Sequence, residues 1–419
     1  NRYRLPGIGA PLVAATEPLQ GVSVDESFLP KRAKVAATAV LRLYDVDHGI
    51  ATGHLHATLE LYTATDRESV AIENRTVPLE VEETAALAYS LAQASFWDRE
   101  LKGFFGRAET GGPILATTEP YRPGRIPVVF VHGTASSPGR WADMLNDLRN
   151  DPWIRAHYEP WFFTYDTGNP IAYSAAALRN KLNDAVARLD PDGRDPCLHQ
   201  MVVIGHSQGG LLTKLAAVRT GPALWNTLYG RPLEEMNISQ GLKDILRDAF
   251  FIEPVPSVCR LIFLCTPHRG SFKMGKHVSD WVARFVRMPQ TLLSLSQDIL
   301  TLQADAINER SVTGRIPTAV DNMTPGNAFL EALAATPVAD ERPYHSIIAV
   351  KGDGPIEAGN DGVVEYTSAR LDGAASEIVV RSAHSAQSSA AAIQEVRRIL
   401  HLHGEALAAG GLVCEPAPR

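Results

Sequence analysis

The stretch Met201-Val202-Val203-Ile204-Gly205-His206-Ser207-Gln208-Gly209-Gly210-Leu211-Leu212 decides the fold of this chain. Its apolar start has the length and branching of a strand that is covered on both faces. Gly205, Ser207 and Gly209 then form the pattern G-x-S-x-G, in which a serine occupies a sharp turn between a strand and a helix. The glycines allow close packing around that turn, and the helix directs its free N–H groups toward the serine. The stretch therefore predicts a nucleophile, Ser207.

The pentapeptide alone is a weak signal, because it arises by chance in roughly one chain in seven of this length. Its context is more specific, since an apolar run precedes it and a helix-forming run follows it. The alternative is a serine in an ordinary turn between a strand and a helix. The two interpretations differ in whether the chain also supplies a base and an acid in the right order.

Composition limits the class of protein. The 419 residues suit a large catalytic domain with an appended segment. With 45% hydrophobic and 21% charged residues, the chain is globular rather than disordered. A net charge of −7 argues against nucleic-acid partners, which require a basic face. No apolar run approaches the roughly 18 residues of a membrane span.

The chain ends and the cysteines give less information about the class of protein. The first residue is Asn1 and no signal-peptide pattern follows, so we expect a truncated or processed chain whose targeting signal is not visible. The four cysteines lack metal-ligand spacing. Cys265 ends an apolar run, which favours a core thiol over a nucleophile. The spacing leaves a disulfide open.

The chain divides into three predicted parts. Residues 1–112 form an accessory segment with an extended arm (1–32), alternating strands (34–46, 54–62 and 77–81) and a helix (82–105). This segment carries no catalytic constellation. It is either a structural addition that covers one edge of the main sheet or a segment with a binding role. Residues 113–403 form the catalytic domain, with cap insertions at about 222–257 and 271–342. Residues 404–419 form a tail.

Strands and helices alternate in the second part, which predicts an α/β fold with a mostly parallel central sheet and helices on both faces. The predicted strands are 126–131, 161–165, 201–204, 261–265, 346–350 and 377–380. The predicted helices are 141–149, 172–189 and 387–401. Insertions as long as the two named above usually carry an element of their own, commonly a lid.

A base and an acid for Ser207 follow in the order that this architecture requires, serine, then acid, then histidine. His384 is the only histidine between the last predicted strand and the last helix. Two aspartates follow the strand at 346–350. Asp353 lies between two glycines and suits a turn, whereas an apolar pair directly after Asp361 can anchor its loop. We predict Asp361 as the acid.

An oxyanion hole requires two N–H donors. The residue after the nucleophile, Gln208, supplies one from its backbone. The loop Val131-His132-Gly133-Thr134 follows the first core strand and supplies the other from Thr134. His132 fits a supporting role in this loop better than that of the base.

Five motifs in order give the chain a resemblance to a known family. They are Phe130-Val131-His132-Gly133-Thr134, Gly205-His206-Ser207-Gln208-Gly209-Gly210, Cys265-Thr266-Pro267-His268-Arg269-Gly270-Ser271, Asn360-Asp361-Gly362-Val363-Val364 and Ser382-Ala383-His384. Over about residues 120–403 the chain resembles the α/β-hydrolase superfamily, most closely bacterial lipases and esterases and more distantly the GPI inositol-deacylase type. The resemblance implies the α/β-hydrolase fold, a triad of Ser207, Asp361 and His384, and an oxyanion hole at Thr134 and Gln208.

The chain also departs from that family. Many such lipases have Met after the nucleophile, where this chain has Gln208, and they place Leu-Asp after the catalytic histidine for a structural calcium. Here Ser385-Ala386 follows, so no calcium is expected. The first 110 or so residues match no common lipase layout but look like the extra segment of some exported bacterial hydrolases. We therefore suspect an exported protein, whether periplasmic, lipoprotein or secreted.

These observations predict a serine carboxylic-ester hydrolase, an esterase or lipase without cofactor or metal, acting on a small-molecule or lipid ester. Contact with a lipid surface and the oligomeric state stay open. Trp225 and Phe251 lie in the first insertion and are candidates for an acyl-binding cleft, although apolar helix faces usually pack as core. Three alternatives remain: acyl transfer to another acceptor, an amidase or lipid deacylase, and a binding protein on a hydrolase fold.

Overall fold

The computed structural model describes residues 2–15, 34–64, 66–93, 112–119, 121–272, 298, 319–339 and 342–410. In chain order, its strands are β1 (Ala10–Ala15), β2 (Lys34–Tyr44), β3 (His56–Thr63), β4 (Ser69–Ile72), β5 (Arg75–Pro78), β6 (Ile114–Thr117), β7 (Ile126–Val131), β8 (Tyr158–Thr164), β9 (Met201–His206), β10 (Val258–Leu264), β11 (Tyr344–Ala349) and β12 (Ser376–Val380). Its α-helices are α1 (Val46–Thr52), α2 (Glu83–Gln93), α3 (Ala142–Arg149), α4 (Pro152–His157), α5 (Ile171–Leu189), α6 (Gln208–Leu215), α7 (Ala223–Leu228), α8 (Gln240–Phe250), α9 (Ala319–Asn322), α10 (Ala328–Ala335), α11 (Tyr366–Ala369) and α12 (Ala390–Ala408).

In the part of the chain that the structure describes, seven strands form the central sheet, in the spatial order β12-β11-β10-β9-β7-β8-β6. Six of them run parallel, and only the short edge strand β6 pairs antiparallel, with β8. β7, β9 and β10 are buried along their whole length, as expected of strands covered by helices on both faces. The predicted fold class is therefore confirmed. The edge strand β6 was not predicted, because four residues give too short a pattern.

Two hydrophobic cores lie on opposite faces of this sheet, because side chains alternate along each strand. Val129 and Val203 pack in one core together with the buried face of α5 and with α6. Val128 and Val202 pack in the other core with α3 and α12. The four-residue and three-residue spacings of apolar residues in these helices supply the buried stripes. These layers hold the carboxyl ends of the parallel strands at one edge.

The N-terminal residues form a separate small layer. β1, β2 and β3 make an antiparallel sheet, and β4 and β5 make a hairpin. The core between them consists of small and branched side chains: Ala36, Val40, Val70, Leu79, Val81 and Ala86. This layer contacts the rest of the molecule through α2 and α3, where Thr84 Oγ1 donates to Asn146 Oδ1 at 2.8 Å.

Several boundaries differ from the sequence predictions. The predicted arm 1–32 contains β1, whose pairing with β2 is a long-range contact that a local pattern does not reveal. The alternation at 77–81 is the end of a hairpin followed by isolated bridges at Leu79 and Val81. α12 continues to Ala408, past the predicted boundary at 403.

The insertions are described in part. The first, 222–257, is helical, with α7, a short 3-10 turn and α8. Most of the second, 271–342, lies outside the described residues, so its role as a lid stays a prediction. No helix in the described ranges has the length and apolar character needed to cross a bilayer. Cys197 and Cys265 are free thiols, and Cys259 is disulfide-bonded.

Candidate active site

Ser207 occupies the turn between β9 and α6 in a strained conformation, with φ 54° and ψ −125°. This backbone geometry is rare for a residue with a side chain, and it lifts the hydroxyl away from the strand. Two neighbours must be glycine for the turn to close. A Cβ on Gly205 would overlap Thr213, and one on Gly209 would overlap the carbonyl of Val131.

Ser207, His384 and Asp361 form a continuous chain of hydrogen bonds. His384 Nε2 lies 2.9 Å from Ser207 Oγ, and His384 Nδ1 lies 2.7 Å from Asp361 Oδ2. The other oxygen of Asp361 accepts from the backbone N–H groups of Val363 and Val364, at 2.8 Å and 2.7 Å. Asp361 is only 1% exposed. A proton on Nδ1 of the imidazole therefore leaves a lone pair on Nε2 that faces the serine hydroxyl.

The structure separates the two candidate acids. Asp353 is exposed in its turn, and Arg381 donates to the carbonyls of Gly352 and Gly354 on either side of it. Asp361 is held against His384 from two directions, because the backbone N–H of His384 also donates to the carbonyl of Asp361 at 3.1 Å. Of the two aspartates, only Asp361 is hydrogen-bonded to the imidazole.

Thr134 and Gln208, the predicted oxyanion-hole residues, are in direct contact. Thr134 Oγ1 donates to Gln208 Oε1 at 2.6 Å, and Gln208 Nε2 donates to the Thr167 carbonyl at 3.2 Å. The backbone N–H of Gln208 belongs to the first turn of α6, where N–H groups have no partner within the helix. Gly133 makes the close approach possible, since a Cβ there would lie 2.8 Å from Ser207 Cβ.

The side chain of Gln208 has a structural role that the sequence did not reveal. It is fully buried and connects the loops after β7 and β8. Thr167 extends this network, because its hydroxyl accepts from the backbone N–H of Ala135 at 3.1 Å. Ala135 itself has a positive φ of 48°. Gln208, which stands where many of the resembling lipases have Met, therefore supports the loop of Thr134 through hydrogen bonds.

Two buried histidines stand beside the triad and are neutral. Burial lowers the pKa of His132 to about 4, and its ring contacts the Gly133 carbonyl at 3.1 Å and the Tyr165 N–H at 3.4 Å. Burial and the nearby His384 lower the pKa of His206 to about 3. Its Nε2–H donates to the His384 carbonyl at 2.9 Å. His206 therefore ties the serine turn to the histidine loop, a contact between distant segments that no local motif signals.

Cys265 is buried below the histidines with a positive φ of 52°. Its thiol and ring nitrogens of His206 and His384 lie within 4.8 Å of one another, so they could in principle share a metal ion. Burial raises the pKa of the thiol, however, and both nitrogens of His384 already have hydrogen-bond partners. The donors therefore fit a core thiol and a catalytic base better than a metal centre.

Trp225 and Phe251 belong to a packed cluster in the first insertion. Trp225 is fully buried, its indole N–H donates to the Arg231 carbonyl at 3.0 Å, and its ring stacks on Tyr229 at 4.1 Å. Phe251 is partly buried on the same cluster, 6.2 Å from the Trp225 ring. These contacts are those of core residues, so an acyl-binding role for either residue stays a prediction.

Comparisons with known proteins agree with this architecture. A family model described as the alpha/beta hydrolase family matches residues 128–393. No curated protein matches the chain. The solved structures that are similar include the mature form of a Bacillus licheniformis lipase, 19% identical over 70% of this chain and 99% of that one, with a TM-score of 0.41.

Two further solved structures are also similar to this chain. A propionate-bound thermophilic esterase from the planctomycete Thermogutta terrifontis is 12% identical, with a TM-score of 0.35, and covers 73% of this chain and 91% of its own. The thioesterase domain from the curacin biosynthetic pathway is 13% identical, with a TM-score of 0.33, and covers 70% and 97%. The family match spans more than half of the chain and includes the serine turn and His384. The chain therefore belongs to the alpha/beta hydrolase family.

Proposed function

We propose that this protein is a serine carboxylic-ester hydrolase, an esterase or lipase that acts through an acyl-enzyme. The observation that carries the proposal is the position of His384, which bridges the hydroxyl of Ser207 and the buried carboxylate of Asp361. A serine hydroxyl is a poor nucleophile until a base removes its proton, and a base that is oriented by a carboxylate keeps the useful tautomer.

In the first half-reaction, Ser207 Oγ attacks the ester carbonyl while its proton moves to Nε2 of His384. Asp361 stabilises the imidazolium that forms. The backbone N–H groups of Thr134 and Gln208 bind the oxyanion of the tetrahedral intermediate. Collapse of this intermediate breaks the bond to the alcohol, and His384 gives its proton to the leaving oxygen.

In the second half-reaction, His384 removes a proton from water, which attacks the acyl-enzyme. The resulting intermediate releases the carboxylic acid, and the proton returns to Ser207. The same acyl-enzyme could react with another acceptor, so an acceptor is included in the test below.

We also propose that the protein is exported, and the disulfide at Cys259 supports this because such bonds persist in oxidising compartments.

The test is hydrolysis of p-nitrophenyl esters from acetate to palmitate, with the Ser207→Ala variant as control. We expect turnover of at least part of the series and loss of on the order of 10³-fold or more in the variant. Product analysis with an added alcohol or amine separates hydrolysis from acyl transfer. Equal rates in the two proteins would contradict the proposal, and dominant transfer to the acceptor would replace it with a transferase.

A further inference from the structure

Exposed large apolar side chains concentrate in the N-terminal layer of the molecule. The most exposed are Leu41 (63%), Leu59 (64%) and Leu61 (66%) in β2 and β3, and Ile50 (70%) in the connection between these strands. Leu12, Leu43 and Leu55 are each about half exposed. Single exposed leucines are ordinary on a protein surface, but a contiguous group indicates an interaction site.

The strand register places five of these leucines on one face. Leu41 pairs directly with Leu59, and Leu61 pairs with Ala39. The same alternation and register add Ala10, Leu12, Leu43 and Ala57 to this exposed part of the face, whereas Val35 and Ala37 at the other end of β2 lie on the same face but are buried. We call this set of residues the leucine face.

The opposite side of the same sheet is already covered. Val40 packs in the core with Val70 of β4, Ala86 of α2 and Leu79. Arg42 and Glu60 form an ion pair on that side at 2.9 Å, and Arg42 also donates to the Ala71 carbonyl at 3.1 Å. The covered side is therefore apolar at Ala36 and Val40 and also holds the ion pair, while the exposed side carries leucines. A sheet that has one face in water normally presents polar side chains on that face.

The chemistry of the leucine face narrows the choice of partner. It carries no charged side chain among the described residues, so it suits neither nucleic acid nor an ionic protein patch. Segments that settle on membranes usually carry Lys or Arg beside Trp or Phe, whereas the connection Val46–Thr52 contains Asp47 and no basic residue other than His48. The net charge of −7 further opposes an anionic membrane.

The size of the leucine face fits a protein partner. The five leucines of the face and two apolar residues that adjoin it, Leu55 just before β3 and Ile50 in the connection Val46–Thr52, offer on the order of 100 Å² each. Roughly 700 Å² from one molecule is close to the roughly 800 Å² per partner of a standard interface. A second copy supplies a face of the same size and the same apolar character, which is what a two-fold interface requires.

We propose that the leucine face is the interface of a homodimer, in which the three-stranded sheets of two copies pack face to face. Antiparallel sheets stack in this way about 10 Å apart, with their inner side chains interdigitated. Homodimer interfaces are also the most apolar class of protein interface. The proposal is independent of the ester hydrolase activity, because none of its residues belongs to the active site.

The test is the molar mass of the full chain in solution, by sedimentation equilibrium over a concentration series from nanomolar to tens of micromolar. The wild type is expected to be a dimer at the higher concentrations. Leu59→Glu places a carboxylate directly opposite Leu41 in the ladder and is expected to weaken dimerisation by on the order of 100-fold or more, since a buried unpaired charge is strongly unfavourable.

Leu402→Glu is the matched control, because Leu402 is also an exposed leucine (40%) but lies on α12. It is expected to dimerise like the wild type. Far-ultraviolet circular dichroism checks that both variants are folded. A wild type that stays monomeric at tens of micromolar would overturn the proposal without any variant. So would a folded Leu59→Glu dimer of unchanged affinity, or a monomer that instead binds phosphatidylcholine vesicles.

Discussion

Replacing Asp361 by Asn tests the orientation of the base, and the structure shows why so small a change should have a large effect. Oδ1 of Asp361 accepts two backbone N–H groups, so an asparagine would keep its oxygen there and turn its amide nitrogen toward His384. In the opposite amide orientation, the NH2 group would face those two N–H donors, and the unsatisfied donors would cost about 2 kcal/mol or more. The amide nitrogen is thus fixed opposite Nδ1 of His384, at the present 2.7 Å contact.

An amide nitrogen can only donate, so the imidazole must accept at Nδ1 and carry its proton on Nε2. Nε2 lies 2.9 Å from Ser207 Oγ and would then have no lone pair to take the serine proton. We expect kcat to fall by about 10⁴-fold, which corresponds to about 5 kcal/mol of transition-state stabilisation. KM should change little, because the geometry survives.

The assay is steady-state hydrolysis of the best p-nitrophenyl ester, with Asp353→Asn as the matched control. Asp353 is exposed in a turn between two glycines, so its variant should keep nearly full activity. Activity of Asp361→Asn within tenfold of the wild type would refute the reasoning. A severe loss in Asp353→Asn would transfer the role of the acid to that residue.

Two further predictions concern the surroundings of the triad, and a third concerns a buried carboxyl group at the start of β8. Gly133→Ala should lower kcat by about 100-fold or more because its Cβ enters the serine turn, whereas Gly241→Ala in α8 meets nothing within 4 Å and should stabilise the fold by up to about 1 kcal/mol. His206→Ala should lower kcat about 5- to 10-fold by removing one hydrogen bond to His384, by the same factor between about pH 6 and pH 9, because its pKa of about 3 keeps it neutral; a factor that changes with pH would be inconsistent with this. Burial raises the pKa of Glu159 to about 7, so between about pH 4.5 and pH 7 the folded state binds a proton that the unfolded state has lost. The free energy of unfolding should therefore fall by about 3 kcal/mol or less as the pH rises through this interval. Chemical denaturation of Glu159→Gln should lack this fall, and an unchanged slope would contradict the assignment.

Much of the fold was predictable because the core strands are buried on both faces. Met201–Ile204 reads as an uninterrupted apolar run, and the helix Ile171–Leu189 has a clear stripe at helical spacing. β1 and β6 were not predicted, because their four to six residues form strands only by pairing with distant segments. Tertiary contacts decide such short elements, and local propensity does not.

The candidate site also combines features that the sequence predicted with features that it did not. Ser207, Asp361 and His384 follow the core strands β9, β11 and β12, so their order along the chain predicted that they meet at one edge of the sheet. The supports of Gln208 by Thr167 and of His384 by His206 depend on side-chain contacts between separate loops. No spacing in the sequence encodes these contacts. The leucine face was equally hidden, because alternation reveals two faces of a strand but not which one is covered.

The central claim is that Ser207 is the nucleophile, and reaction with an active-site-directed alkyl phosphonate tests it most directly. We expect stoichiometric labelling of the wild type, complete loss of ester hydrolysis, and an adduct that peptide mass spectrometry places on Ser207. The Ser207→Ala variant should stay folded, unlabelled and inactive. Labelling of a different residue, together with full hydrolytic activity in Ser207→Ala, would contradict the account.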